Sequence, residues 1–282
     1  MATSLSLERR ASSSAPPPEV VERERRRRRS RHRLMWTVRV LSVAVVLVAW
    51  QVYGVRVNPI LFAPPTAIAE AFVAMVRDGT LLSAFLQSLL VLVVGLGAAI
   101  VVSIPAALVW ARYDPVDWAV QHYVNAIYAT PLVALVPLLI LWFGLGFLSR
   151  AIIVFSFAFF PLLLNAYQGA KSVDRELLEV ARSFRCREYH VWRHVVLPSS
   201  VPFIMAGLNL AAGRSLVGLI IAEFYTTGTG LGYLVLQAAN TFRTARMFVP
   251  VIVVMVLGVA LLGVTRYLQR RVAPWSSQPE RQ

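Results

Sequence analysis

Apolar runs of about 20 residues recur along this chain and restrict its fold more than any other feature of the sequence. Hydrophobic residues make up 57% of the chain and charged residues 15%, a balance that is unusual in a soluble globular domain. A helix of such length crosses a hydrocarbon layer about 30 Å thick. The short segments of alternating polarity that build a membrane β-barrel are not visible in the sequence. The chain is therefore predicted to be an all-α membrane protein.

Six of these runs are long enough to form transmembrane helices. They cover residues 36–54, 84–111, 118–145, 149–168, 201–224 and 247–267. Pro131 and Pro137 lie close together in the third run, and because proline removes a backbone donor, that helix is expected to be broken or bent. The pattern predicts a separate first helix, a membrane domain over residues 60–267 and a tail over residues 268–282.

The formal charge of +14 arises largely in the N-terminal arm, residues 1–35, which includes the run Arg25–Arg29. Its position directly before the first apolar run favours retention in the cytoplasm over binding to nucleic acid. The arm is rich in proline, serine and charge, so disorder is expected there. Six crossings return the basic tail to the same side. Arg243 and Arg246 count against this topology, because their segment, 225–246, falls outside and contains no acidic residue.

Small residues recur at four-residue spacing in two of the predicted spans. The second span carries Gly95, Ala99, Ser103, Ala107 and Ala111, and the fifth carries Gly207, Ala211 and Ser215, then Gly218 and Ala222. Small residues at this spacing share one face of a helix and let another helix approach closely. Since lipid does not require small residues, both faces are predicted to pack against protein.

The segment 174–198 is charged and amphipathic, although it separates two strongly apolar spans. Its sequence, DRELLEVARSFRCREYHVWRHVVLP, predicts two short helices, the first capped by Asp174 and the second ended by Leu197-Pro198. Both carry apolar side chains, and burying one large side chain contributes about 1.5–3 kcal/mol. The segment is therefore expected to bind a partner, which is its own helix ends, the lipid surface or another subunit.

Three parts of the sequence resemble the permease, or transmembrane, subunits of bacterial ATP-binding-cassette (ABC) importers. Glu179, Ala181, Leu197 and Pro198 match the motif of the cytoplasmic loop that couples these permeases to an ATPase. Two further parts resemble the branch that imports nitrate, sulfonates and taurine. One is PLVALVPLLILWFGLG (131–146) followed by FFPLLLNAYQGAKSVD (159–174), and the other is LNLAAGRSLVGLIIAEFYTTGTGLGYLV (208–235).

This resemblance implies a type I ABC importer transmembrane-domain fold in a bacterial plasma membrane. ATP and Mg²⁺ would bind to separate ATPase subunits that dock on the loop 174–198. A second, identical permease subunit would complete the pathway, and an extracytoplasmic substrate-binding protein would deliver a small solute. The chain itself would hold no cofactor and would not be an enzyme.

One position departs from the family pattern. The family has glycine four residues after the loop alanine, where this chain has Arg185. Glycine adopts the left-handed conformation that turns one helix into the next, whereas a side chain makes that conformation costly. Either the bend is made differently in this chain or the geometry of the coupling loop is altered.

Two charged residues, Arg214 and Glu223, lie within the fifth span, where a central charge costs about 2.5–3.5 kcal/mol. They are nine residues apart and therefore near opposite faces of a helix, so they are not expected to pair. Each either contacts the pathway or a gate, or forms a structural hydrogen bond with a neighbouring helix. Gly230 and Gly232 follow in a predicted tight turn, which the resemblance places near the pathway.

The sequence offers little for catalysis or metal binding. Its single lysine, Lys171, lacks the glycines that precede the lysine of a nucleotide-binding P-loop. His190 and His194 are four residues apart, but two ligands do not make a zinc site. A stand-alone secondary transporter or channel is the main alternative, and a membrane scaffold with a protein-binding loop is another. The substrate is not determined by the sequence, although Arg214 favours an anion.

Overall fold

The computed structural model describes residues 18–226 and 228–274, and it is built from helices joined by short turns. In chain order these are α1 (Pro18–Arg56), α2 (Pro65–Arg77), α3 (Thr80–Arg112), α4 (Asp114–Ala129), α5 (Leu132–Phe143), α6 (Phe147–Lys171), α7 (Arg175–Ser183), α8 (Glu188–Tyr225), α9 (Leu231–Asn240) and α10 (Thr244–Val272). The predicted all-α fold is confirmed.

The contacts divide the chain into a unit that ends at Asn58 and a second unit that begins at Pro59. The first unit contains α1, whose side chains from Leu34 onwards are mostly apolar and exposed, as a helix surrounded by lipid requires. The sequence predicts disorder over residues 1–35, whereas α1 begins at Pro18. Glutamate and arginine, which dominate that part of the arm, are good helix formers. Residues 1–17 lie outside the described residues.

Five helices are long and apolar enough to cross a membrane: the part of α1 from Leu34, α3, α6, α8 and α10. The pair α4 and α5 bends by 96° and makes a sixth crossing if it is counted as one span. The break falls at Thr130 and Pro131, where Thr130 is extended because the residue before proline avoids helical geometry. The predicted break in the third span is therefore confirmed.

Helix α6 packs between α3 and α8 through the two small-residue faces. A Cβ added at Gly95 would lie 2.7 Å from Cβ of Val154, and one added at Gly207 would lie 2.7 Å from Cβ of Asn165. The Ser103 hydroxyl, which is fully buried, donates a hydrogen bond to the Phe159 carbonyl. The prediction that both faces meet protein is confirmed, because only glycine or a similarly small residue permits this approach.

The second unit has two ends that carry different features. At the loop end, α3 and α6 finish, and residues 174–198, which contain α7 and the first turns of α8, follow α6. At the opposite end, Arg150 of α6 binds Thr229 in the turn after α8, and Thr244 of α10 binds the carbonyl of Ile60. The elements at this end are α2, α9 and the turn that precedes α9 and contains Gly228 and Gly230.

The prediction that Leu197-Pro198 ends a short helix is wrong. The helix that begins at Glu188 continues through a wider π-helical turn, Trp192–Val196, into the long membrane part of α8. In that turn the Leu197 amide donates to the carbonyl of Trp192, five residues back. Pro198 lacks an amide hydrogen, and a wider turn absorbs the missing bond without ending the helix.

The charge of Arg246 meets an acidic residue from another segment at the opposite end. The pKa of the Asp78 carboxyl is lowered from its ordinary value, first because the Thr80 hydroxyl and amide donate to it and also because of the charge on Arg246. An excess of arginine over residues 225–246 alone therefore overstates the positive charge of this end.

Replacing Gly95 with alanine is expected to destabilise the protein, and replacing Gly97 is not. A Cβ added at Gly95 would lie 2.7 Å from Cβ of Val154, whereas a Cβ added at Gly97 would meet nothing within 4 Å. Overpacking costs about 1–3 kcal/mol, so Gly95→Ala should lower the thermal unfolding temperature in detergent by several degrees. Equal unfolding temperatures for the two variants would contradict the close packing of α3 on α6.

Candidate functional site

The bend in the loop 174–198 is made by Arg185 in the left-handed conformation, with φ of 50°. The Cys186 amide donates to the Ala181 carbonyl over 3.1 Å, and the Phe184 amide donates to the Val180 carbonyl. A bond that spans six residues is the usual closure of a helix that ends in a left-handed residue. Arginine thus takes the conformation expected of glycine, at a cost of about 1–2 kcal/mol.

The loop presents an apolar surface to the outside of the protomer. Leu177, Val180, Phe184 and Tyr189 are all at least half exposed, and Phe184 is 79% exposed. Glu179 lies on the same short helix and is exposed, while Ala181 is half-buried. Exposed large apolar side chains in a group indicate a surface that another molecule covers.

The inner side of the loop is fixed to the membrane helices. Val196 and Val173 are buried together with Ala170, and Trp192 packs against this group. Arg112, the last residue of α3, forms an ion pair with Glu188 at 2.5 Å, and its guanidinium lies 5.5 Å from the Trp192 ring. The loop therefore cannot move as a free connector, because Leu108 and Ala111 of α3 pack against the same buried group. Leu197 and Pro198 lie directly after Val196 and are partly exposed.

Arg214 lies beside a cavity of about 360 Å³ at the break between α4 and α5. The cavity is lined by Tyr128, Ala129, Thr130, Pro131, Leu132, Val133, Phe157, Pro161 and Arg214. Arg214 is exposed, and among the described residues no ion pair is formed by its guanidinium. A charge in a membrane helix normally faces protein or water, so this side of α8 faces another molecule or an aqueous space.

Glu223 is fully buried on the other side of α8 and holds the turn that follows the helix. The Ser88 hydroxyl donates to Glu223 Oε1 over 2.6 Å, and the Gly232 amide donates to Oε2 over 2.7 Å. The Leu231 amide in turn donates to the Ser88 hydroxyl over 2.8 Å. We call Ser88, Glu223, Leu231 and Gly232 the Glu223 cluster. Its hydrogen bonds join α3, α8 and α9. Of the two roles that the sequence leaves open for Glu223, this corresponds to a structural hydrogen bond with a neighbouring helix.

Gly230 and Gly232 are required by the space that Glu223 occupies. Gly230 has φ of 104°, and a Cβ there would overlap the Glu223 carboxyl group. A Cβ at Gly232 would lie 2.9 Å from Cβ of Glu223. Gly230 lies in the turn, whereas Gly232 is already in the first turn of α9. The two glycines and Glu223 therefore form one packed unit at the opposite end from the loop.

Sequence reasoning missed the partners of these residues. Ser88 lies seven positions before Gly95 and so extends the small-residue face of α3. This spacing could have predicted that Ser88 faces protein. Arg150 stands alone at the start of an apolar span, and it donates to the Thr229 hydroxyl over 2.6 Å. A further group around Asp117, with Trp110, Tyr167 and Lys171, carries no signal in the sequence because its members are far apart along the chain.

Comparison with known proteins gives one family match. Residues 99–274 match the sequence model of the family described as "binding-protein-dependent transport system inner membrane component". The match covers more than half of the chain and includes the loop 174–198, Arg214 and Glu223.

Two curated relatives are similar along most of their length. The Bacillus subtilis protein named as an aliphatic sulfonates transport permease, SsuC, is 28% identical over 256 residues, which cover 89% of this chain and 91% of that protein. The taurine transport system permease TauC of Escherichia coli is 26% identical over 249 residues, covering 86% and 90%. A crystal structure of an amino acid ABC transporter with histidines gives a TM-score of 0.56 at 17% identity, covering 71% of this chain and 98% of that chain, which shows the fold.

Replacing Arg185 with glycine is expected to stabilise the bend of the loop. Glycine removes the Cβ that makes φ of 50° costly, so local opening should become rarer. Hydrogen exchange of the Cys186 amide, which closes the bend, should slow by about fivefold. Arg187→Gly is the matched control, because Arg187 has φ of −62° and gains nothing from glycine. Faster exchange in Arg185→Gly than in the parent would contradict this assignment.

Gly230→Ala is expected to destabilise the protein more than Gly228→Ala. Both glycines have φ near 100°, so both variants carry backbone strain, but only the Cβ at position 230 meets Glu223. The difference in the free energy of unfolding should be about 1–3 kcal/mol. Thermal unfolding in detergent measures it, and equal effects of the two substitutions would show that position 230 has room for a side chain.

Proposed function

Because this chain belongs to the binding-protein-dependent transport system inner membrane components, we propose that it forms half of an import pathway for a small anionic solute. The family places it in the inner membrane as a multi-pass permease that is not itself an ATPase. A system of this kind works with a separate ATPase and with a binding protein.

The exposed apolar surface of the loop 174–198 is the observation that carries the proposal. Phe184 and Tyr189 extend from a segment whose inner side, at Val173 and Val196, packs against α3. A docked ATPase would bury the outer side and gain about 1.5–3 kcal/mol for each large side chain. Glu179, Ala181, Arg185, Leu197 and Pro198 are the residues that we assign to this contact. The loop and both termini then face the cytoplasm.

A second copy of the chain would complete the pathway. Arg214 is exposed on a membrane helix of the single protomer, next to the break between α4 and α5. Such a charge is too costly to face lipid, so a second protomer on this side would enclose the cavity as an aqueous route. The Glu223 cluster, with Gly230 and Gly232, would shape the outer mouth of that route by fixing the start of α9.

The movement that drives transport is a shift between two conformations. ATP binding draws the two ATPases together, and the loops that they hold move with them. Because Val173 and Val196 of the loop pack with Leu108 and Ala111 of α3, that movement reaches the end of α3 rather than staying in the loop. The chain contributes no covalent chemistry, and the external binding protein supplies much of the selectivity.

A sulfonate, taurine or nitrate-like substrate is supported by two observations. SsuC of Bacillus subtilis and TauC of Escherichia coli carry sulfonate and taurine transport in their names, at 28% and 26% identity. Arg214 places a guanidinium beside the cavity, and guanidinium binds planar or tetrahedral anions through several N–H donors.

Glu179→Arg is expected to abolish docking of the ATPase. The chain would be co-expressed and purified with the ABC ATPases of its own genome, and Glu179→Arg should weaken recovery of the bound ATPase by about tenfold or more. Glu70→Arg makes the same exchange on exposed α2 at the opposite end and should leave recovery unchanged. Solute transport by the purified chain without any ATPase would instead support a stand-alone transporter.

Arg214→Gln is expected to lower the uptake of anions. In vesicles that contain the complete system, uptake of taurine or an alkanesulfonate should fall about tenfold, because a charged hydrogen bond to the solute is lost. Arg214→Lys keeps the charge and should retain part of the uptake, while Arg246→Gln at the opposite end is the control. Unchanged uptake in Arg214→Gln would remove this residue from the solute route.

A further inference from the structure

A polar cluster at the loop end joins three helices around Asp117. We call it the Asp117 cluster, and it consists of Trp110 from α3, Asp117 from α4, and Tyr167 and Lys171 from α6. None of these residues belongs to the loop motif or to the cavity at Arg214. The cluster nevertheless lies between the loop and the break that borders the cavity.

Asp117 is the centre of this cluster because both of its carboxylate oxygens are used. Trp110 Nε1 donates to Oδ1 over 2.9 Å, and the Tyr167 hydroxyl donates to the same oxygen over 2.6 Å. Lys171 Nζ lies 3.0 Å from Oδ2. The Trp110 and Tyr167 rings stack with their centroids 3.9 Å apart and so hold both donors in place. A carboxylate that binds three fixed donors restrains the helix that carries it.

The burial of Asp117 distinguishes it from its neighbour Asp114. Lys171 also contacts Asp114, at 3.3 Å, but the Asp114 side chain is 73% exposed while that of Asp117 is 15% exposed. An exposed pair contributes little, because water screens it. The connection between α4 and α6 therefore depends on Asp117 rather than on Asp114.

Helix α4 has few other attachments to the protein. Val124 is the one residue of α4 that is buried, and Trp118 and Tyr123 are more than 70% exposed. Val116 and Val120 pack against the core only in part. A helix with so little buried surface is held mainly by its few specific contacts.

The same cluster is adjacent to the loop on two sides. Arg112, which pairs with Glu188 at the start of α8, is two residues after Trp110. Lys171 is the last residue of α6 and is three residues before Asp174, where the loop begins. At its other end, α4 finishes at Ala129, and the break at Thr130 and Pro131 follows directly.

We infer that Asp117 is a positioning residue that ties α4 to the ends of α3 and α6, so that movement of the loop 174–198 reaches the break at Thr130 and Pro131. The inference rests on the proposed function, because it concerns how that function is transmitted. With Asp117 intact, α3, α4 and α6 move as one body at the loop end. Without it, the loop still follows the ATPase but α4 does not follow the loop.

The test compares Asp117→Asn with Asp114→Asn in vesicles that contain the permease, its ATPase and its binding protein. Asparagine keeps the size of the side chain and one acceptor for Trp110 and Tyr167, but it removes the charge that holds Lys171. The number of solute molecules transported per ATP hydrolysed should fall about tenfold in Asp117→Asn. In Asp114→Asn, which removes only the exposed pair, it should stay within about twofold of the parent.

This ratio separates transmission from simple damage, since a damaged fold lowers transport and ATP hydrolysis together. If Asp117→Asn does not assemble, Lys171→Met removes the same ion pair from the other side while Trp110 and Tyr167 still bind Asp117, and it should lower the ratio as well. A ratio equal to that of Asp114→Asn overturns the inference and leaves the proposed function intact. An absence of ATP-driven uptake in the parent protein overturns both.

Discussion

Every backbone amide that lies in hydrocarbon must find a hydrogen-bond partner within the protein, and the whole structure of this chain depends on meeting that requirement. Long helices meet it along the spans, and each place where the helical pattern is interrupted has its own solution. The amides of Leu231 and Gly232, at the start of α9, are bound by Ser88 and Glu223, and at the loop end the wider turn at Trp192–Val196 accommodates Pro198. These solutions coincide with the candidate sites, because irregular backbone is tolerated only where protein or water surrounds it.

Helix α6 determines where the sites lie, because α3 and α8 pack against its two sides through small residues. Gly95 and Gly207 bring the backbones together, and the ends of the three helices then coincide. The loop 174–198 and the Asp117 cluster lie at one end, while the Glu223 cluster lies at the other. A rigid core of this kind allows a displacement at one end to be felt at the other without deformation along the spans.

Features that repeat along the sequence were predictable, and pairings between distant residues were not. Apolar runs gave the spans to within about five residues, except that the helix of the fifth span begins at Glu188 instead of residue 201. Four-residue spacing of small side chains gave the packed faces, since both signals depend only on helical periodicity. The left-handed conformation of Arg185 could not be predicted from the residue itself, because arginine does not favour it. Only the glycine that the family has at this position indicates it. The contacts of Asp117 with Trp110, Tyr167 and Lys171 required the fold, and Leu197-Pro198 misled because a π-helical turn lets proline remain inside a helix.

The crowding between Glu223 and Gly230 has an evolutionary consequence. A side chain at position 230 needs a smaller residue at position 223, yet a smaller residue there leaves the Ser88 hydroxyl and the Gly232 amide without an acceptor. Neither position can change first without loss, so substitutions at this corner of the protein are expected to be epistatic. Positions 223 and 230 can therefore change only by two substitutions together. The sequence is expected to diverge more slowly there than on the lipid-facing surface.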